Sequence, residues 1–182
     1  MVKRLALPIR AFCAEPGMPD IPTLTGWVAE HRGISADLLT YRIDQSLAPQ
    51  LPAGVTYPCA GWLFYADRII ASLTGVSEKK AVDEVGIETG DVIRDACAIG
   101  ALKSNSWWAL PAPHALGIVD TYYNDEDEWN YALTGVYRAM MLAMRDAGIA
   151  GHVLIGEYAD DAELARLARQ KVFFFVDRKS VV

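Results

Sequence analysis

Basic residues are outnumbered in this chain, 17 Lys and Arg against 23 Asp and Glu, for a net charge of −6 and a pI near 5.0. They are scattered, and no basic block offers a surface to phosphates, which argues against nucleic-acid binding. Cysteine is scarce as well. Cys13, Cys59 and Cys97 are odd in number and far apart, so they suggest neither a disulfide framework nor a CxxC zinc or redox site. The three histidines, His31, His114 and His152, show no ligand spacing. No apolar run approaches the roughly 20 residues needed to cross a bilayer, and Pro8 and Arg10 fall where a signal peptide would keep an apolar core. The expectation is a cytoplasmic protein without a membrane partner. There is no GxxxxGK[ST] and no GxGxxG after a strand, which disfavours nucleoside triphosphate hydrolysis and Rossmann-type dinucleotide binding.

What is present is apolar and patterned. A composition 52% hydrophobic and 22% charged is globular, and 182 residues suffice for one domain, 1–182, with a proper core. Residues 115–157 read as strand, helix, strand. Trp129, Ala132, Leu133, Val136, Met140, Ala143 and Met144 recur at helical spacing, with Asn124 placed to cap the helix and Gly148 to end it. Asp125, Glu126, Asp127 and Glu128 fall in the first turn, where the helix dipole favours acids without any ligand. An Ala-rich helix and the continuous apolar run VFFFV follow. Such runs belong to parallel sheets covered on both faces. The alternation predicts a single-domain α/β fold, a largely parallel sheet with helices on both faces.

The N-terminal half is more broken. Residues 4–12 read as a strand that Pro8 confines to an edge or a bulge. Residues 13–26, with three prolines and two glycines, read as a long loop and a candidate lid. A short helix at 27–31 would end at Gly33, and Ser35 would cap another carrying Leu38, Leu39, Ile43 and Leu47. Residues 59–75 admit two parses, one amphipathic helix or a short helix delivering a strand at 68–73. Ser77 and Thr89 read as helix caps, the second before an apolar face of Val92, Ile93, Ala96, Cys97 and Ile99. Residues 106–110 form an aromatic strand.

In an open parallel sheet, ligands collect outside the carboxyl ends of the strands. Asp120, Glu157 and Asp177 each close a predicted strand there, and Cys13 with Glu15 would join them if the first strand is parallel. His114 and His152 open predicted strands, which puts them at the other edge and argues against histidine-based catalysis. Asp120 and Glu157 can be read as holding a hard cation such as Mg²⁺, as acid, base or nucleophile, or as helix caps and surface ion pairs. Cys13 reads as a nucleophile if a helix N-terminus stabilises its thiolate, and otherwise as a small core residue.

The stretch YADRIIASLTGVSEKKAVDEVGIETG, residues 65–90, resembles the segment of nucleoside 2-deoxyribosyltransferase-like proteins in which a strand of the AD-x-I-I-A kind is followed by a loop and then Glu-x-Gly at a helix start. The resemblance is confined to residues 65–100. It implies a parallel α/β sheet, Glu88 as the nucleophile at an anomeric carbon and Asp83 as a helper. The chain departs from the pattern at Arg94 and Asp95, where the family has small apolar residues.

These readings converge on an enzyme acting on a small polar, nucleoside-like metabolite through Glu88, Asp120 and Glu157, a hydrolase or transferase of glycosidic bonds with no cofactor. Two rivals stand beside it. One is a non-catalytic ligand-binding or self-assembling module, a homo-oligomer suggested by the apolar surplus of Trp107, Trp108 and the three phenylalanines at 173–175. The other is a Mg²⁺-dependent phosphate-processing enzyme using Asp120 and Glu157.

Overall fold

Strands and helices alternate along the chain, and the computed structural model describes them over residues 8–12, 15–31, 36–168 and 171–176. In order they are α1 (Ile21–Glu30), α2 (Leu38–Leu47), β1 (Cys59–Gly61), α3 (Ala66–Ser72), β2 (Leu73–Ser77), β3 (Lys80–Ile87), α4 (Gly90–Leu102), β4 (Trp107–Pro111), β5 (Val119–Asp120), α5 (Glu126–Asp146), β6 (Gly151–Gly156), α6 (Asp161–Leu167) and β7 (Val172–Val176). Single 3-10 turns occupy Leu63–Tyr65 and Pro113–Leu116.

Local chemistry moves several boundaries away from the sequence reading. The supposed lid ends early, because Asp20 accepts from the Thr23 N–H at 2.8 Å and Pro22 sits in the first turn, where a missing N–H costs nothing, so α1 begins at Ile21. Asp37 and Thr40 cap α2 reciprocally; Cys13, Gly33, Ser35 and Asp177 lie outside the described residues. Residues 68–73 are mostly helix, so the AD-x-I-I-A segment is not a strand, while Glu88-Thr89-Gly90 does stand at a helix start. Ser77 caps no helix. It ends β2, and Glu78 and Lys79, both at positive φ, turn the chain into β3. Asp125, and not Asn124, caps α5 through the Glu128 N–H, and Gly148 follows that helix at φ 109° as expected.

The main sheet is parallel, in the order β1-β4-β6-β7. Arg10 bridges Tyr57 in parallel, so residues 9–11 extend the sheet beyond β1. The fold is therefore the expected α/β domain, but its strands follow chain order with no reversal. Right-handed crossovers between strands in that order put every helix on the same side. Accordingly Ile43, Leu47, Ile69, Val92, Ala96, Ile99, Tyr137, Met140, Met141 and Leu167, from α2 to α6, pack with Ala60, Trp108, Leu110 and Leu154 on one face. The other face, with Cys59, Trp107, Ala109, Val153 and Ile155, meets Tyr57, Trp62 and Ala150 and, among the described residues, no helix core residue. Helices on both faces would have required a reversal of strand order.

The helix-free face is concave. Residues 9–11 and β7 are four strand spacings apart, roughly 19 Å on a flat sheet. Yet the rings of Phe12 and Phe175 stack at 6.0 Å, and the Arg10 guanidinium lies 4.5 Å from the Phe173 ring and 4.1 Å from that of Trp107. Only a strongly curved sheet brings these side chains together. The architecture is a singly wound arc of the β/α-barrel type.

A second sheet, order β2-β3-β5, pairs β2 and β3 as an antiparallel hairpin and β3 with β5 in parallel. It packs on α5 through Leu73, Ala81, Val85 and Val136. Elsewhere Asp95 of α4, almost fully buried, accepts from the Tyr65 hydroxyl at 2.9 Å and from Arg68 Nε at 3.0 Å, tying α3 to α4. Burial pushes the Asp95 carboxyl up, against the pull of Arg68, and burial with the Asp95 charge pushes the Tyr65 phenol well up.

Candidate functional site

The carboxyl ends of β1, β4 and β6 frame a cavity of about 400 Å³, whose walls include Leu63, Pro111, His114, Ile155, Glu157 and Tyr158. This is the edge at which parallel β/α folds place their chemistry. Among the described residues no Lys or Arg lines it.

His114 is the group that sequence reading misplaced. Residues 115–120 were expected to be a strand of the main sheet with His114 at its start; instead β4 ends at Pro111, and His114 sits in the 3-10 turn that follows it. Only Val119 and Asp120 are extended, and they join β3 in the other sheet. Two prolines two residues apart end the strand and start the turn. They carry the histidine to the functional edge.

Its surroundings are specific. Glu163, 3% exposed, lies in the first turn of α6, held there by the Asp160 cap on its own N–H. Its carboxylate accepts from the His114 backbone N–H at 2.7 Å and meets His114 Nδ1 at 3.0 Å from both oxygens. A carboxylate only accepts, so Nδ1 carries the proton and Nε2 of the neutral ring keeps its lone pair. Nε2 is buried and has no hydrogen-bond partner among the described residues. The Tyr158 ring, itself 56% exposed, stacks on the imidazole at 4.1 Å and 21°. Behind the dyad a second cavity of about 230 Å³ is lined by Glu126, Asp160 and Glu163 among others.

Gly156 makes the arrangement possible. A Cβ there would stand 2.6 Å from His114 Nε2 and 2.7 Å from Cε1. The Gly156→Ala substitution is therefore expected to rotate or expel the imidazole while leaving the core in place. With only three histidines in the chain, NMR of the histidine ring protons checks this: the His114 resonance should move by far more than those of His31 and His152. An unmoved His114 signal would contradict the packing described.

The sequence-derived acids occupy three different places. Glu157 follows β6 and lines the cavity. Glu88 is exposed between β3 and α4, its backbone N–H bonded to Ser72 O, and it does not line that cavity. Asp120 belongs to the three-stranded sheet, so it closes no strand beside Glu157. Desolvation pushes its carboxyl up, but the N–H groups of Tyr123, Tyr122 and Asn124 together outweigh it and hold the carboxyl below the ordinary value. It shapes a turn. Asp83 is exposed on β3. His152 does open β6, away from the cavity, and is fully buried. Among the described residues no three His, Cys, Asp or Glu side chains gather in a way that would hold a metal ion, and no helix is long and apolar enough to cross a membrane.

Comparison with protein-family models and with curated proteins finds no match. One solved structure does share the fold. It is that of a protein from Listeria monocytogenes provisionally named a vitamin-B12 independent methionine synthase, similar at a TM-score of 0.63 over 95% of this chain and 67% of that one, with 13% identity. At that identity the likeness shows the α/β arc and nothing about the reaction.

Proposed function

We propose that the chain is an enzyme acting on a small metabolite bound at the carboxyl ends of β1, β4 and β6, with His114 as the general base and acid. One observation carries this reading: a histidine at that edge, beside a cavity, with Nδ1 held by a buried carboxylate and Nε2 left unpartnered. Nε2 would take a proton from water or from a substrate O–H or N–H, and the imidazolium would return it to the leaving group. Glu163 orients the ring and offsets its transient charge, as a carboxylate does behind any such imidazole. Glu157 stands at the mouth, where it can bind or protonate. Hydrolysis or group transfer on a polar substrate, nucleosides included, fits this set. Phosphate processing fits it less well, because among the described residues the cavity offers an anion no Lys or Arg.

Incubation with a mixture of nucleosides and other small polar metabolites, followed by chromatography, tests the reading. Turnover found there should fall 10²- to 10⁴-fold on the scale of general acid-base catalysis in His114→Asn and Glu163→Gln, with circular dichroism unchanged. Turnover indifferent to His114 would sink the assignment. The cover that Gly156 and Tyr158 place on Nε2 favours one other reading, a binding module in which the dyad only clamps the turn after β4 to α6. That version predicts binding without turnover, and a Tyr158→Ala variant no more active than the parent.

A further inference from the structure

The charge of the cavity narrows what it can hold. Among the described residues its one formally charged lining side chain is the Glu157 carboxylate, and a second carboxylate, Glu163, stands behind His114. Asp160 and Glu126 line the smaller cavity beside the same dyad, where the described lining likewise includes no Lys or Arg. Leu63, Ala66, Pro111 and Ile155 supply apolar lining. An anionic ligand would have to enter against these carboxylates with no cation among the described lining residues to receive it. A cation would meet them, beside the Tyr158 ring that also lines the cavity. A volume of about 400 Å³ is at the small end for ligand sites.

We infer that the occupant is a small organic amine, its ammonium seated against Glu157, its apolar body against Leu63, Pro111 and Ile155, and a polar group directed at His114. This rests on the cavity and dyad proposed above as the functional site and adds the chemical class of the ligand.

Four compounds with one apolar body and different heads make the test: phenethylamine, 2-phenylethanol, 3-phenylpropionate and 2-phenylethyl phosphate, each titrated into the protein while the ring signals of the three histidines are followed by NMR. The amine is expected to shift the His114 signal with the highest affinity of the four, and Glu157→Gln should weaken it about tenfold or more while leaving the alcohol unaffected. Phosphate or carboxylate binding as tightly as the amine would overturn the inference. So would an amine affinity that Glu157→Gln leaves unchanged. If the alcohol alone moves His114, the cavity and its histidine stand and the ammonium class falls; if no compound moves His114 even at millimolar concentration in the parent or in Tyr158→Ala, both fall.

Discussion

Gly61→Ala should destabilise the fold by at least about 3 kcal/mol, on the scale of core overpacking combined with backbone strain. Two effects add. The residue holds φ 81°, a conformation that L side chains rarely adopt, and a Cβ there would lie near the Ala109 carbonyl oxygen and the Trp108 indole, both buried. Trp108 is wholly enclosed in the main core against Tyr65, whose ring meets it edge-on at 5.1 Å, so it has nowhere to withdraw. Gly117→Ala is the control. That glycine has φ 65° but open space about its Cβ, so only the left-handed backbone is strained, roughly 1–2 kcal/mol. Urea unfolding of both variants, followed by tryptophan fluorescence, separates the contributions; equal losses would mean that the Trp108 contact has no weight.

Acid should weaken the protein through His152. Burial, with a smaller contribution from the Arg145 charge, lowers this imidazole from the ordinary 6.5 to about 3. Between those values the unfolded chain binds a proton that the folded chain refuses. Stability is therefore complete above pH 6.5, falls as the pH drops, and levels off near pH 3. At 1.36 kcal/mol per unit the whole loss is of the order of 5 kcal/mol, comparable to the total stability of a small domain. Neither ring nitrogen has a hydrogen-bond partner among the described residues, so an apolar replacement removes an unmet cost and no bond. His152→Leu is expected to match or exceed the parent at pH 7 and to flatten the decline of urea midpoints between pH 6.5 and 4. A variant just as acid-sensitive as the parent would assign the decline to other groups.

The helices, the parallel strands and their alternation were legible because periodicity and apolar runs are local signals. Met140 and Met144 sit where their spacing put them, and the run at 172–176 is the strand it resembled. What could not be read was which side of the strands the helices cover, since that depends on strand order, a property of pairings between distant residues. The site suffered from one local error with a large consequence. Taking 115–120 as a strand of the main sheet assigned His114 to the wrong edge and Asp120 to the wrong sheet: the structure puts His114 in the turn after β4 and Asp120 beside β3. Pro111 and Pro113 were the available signal, since two prolines so close end a strand and favour a tight turn. Glu163 offered none: it sits in an exposed-looking Ala-rich helix, and only the fold shows that it points inward.

The chain-order arrangement of β1, β4, β6 and β7 bears on how the protein is made. A strand emerging from the ribosome finds its neighbour already synthesised and already shielded by the helix between them. Assembly can thus proceed unit by unit at the pace of translation, with no early strand left waiting for a late one to be inserted between itself and its partner. The exceptions are the contacts of Phe12 with Phe175 and of Arg10 with Phe173, which join the two ends of the arc and can form only when the fourth strand is in place, making them markers for the moment the curvature is complete.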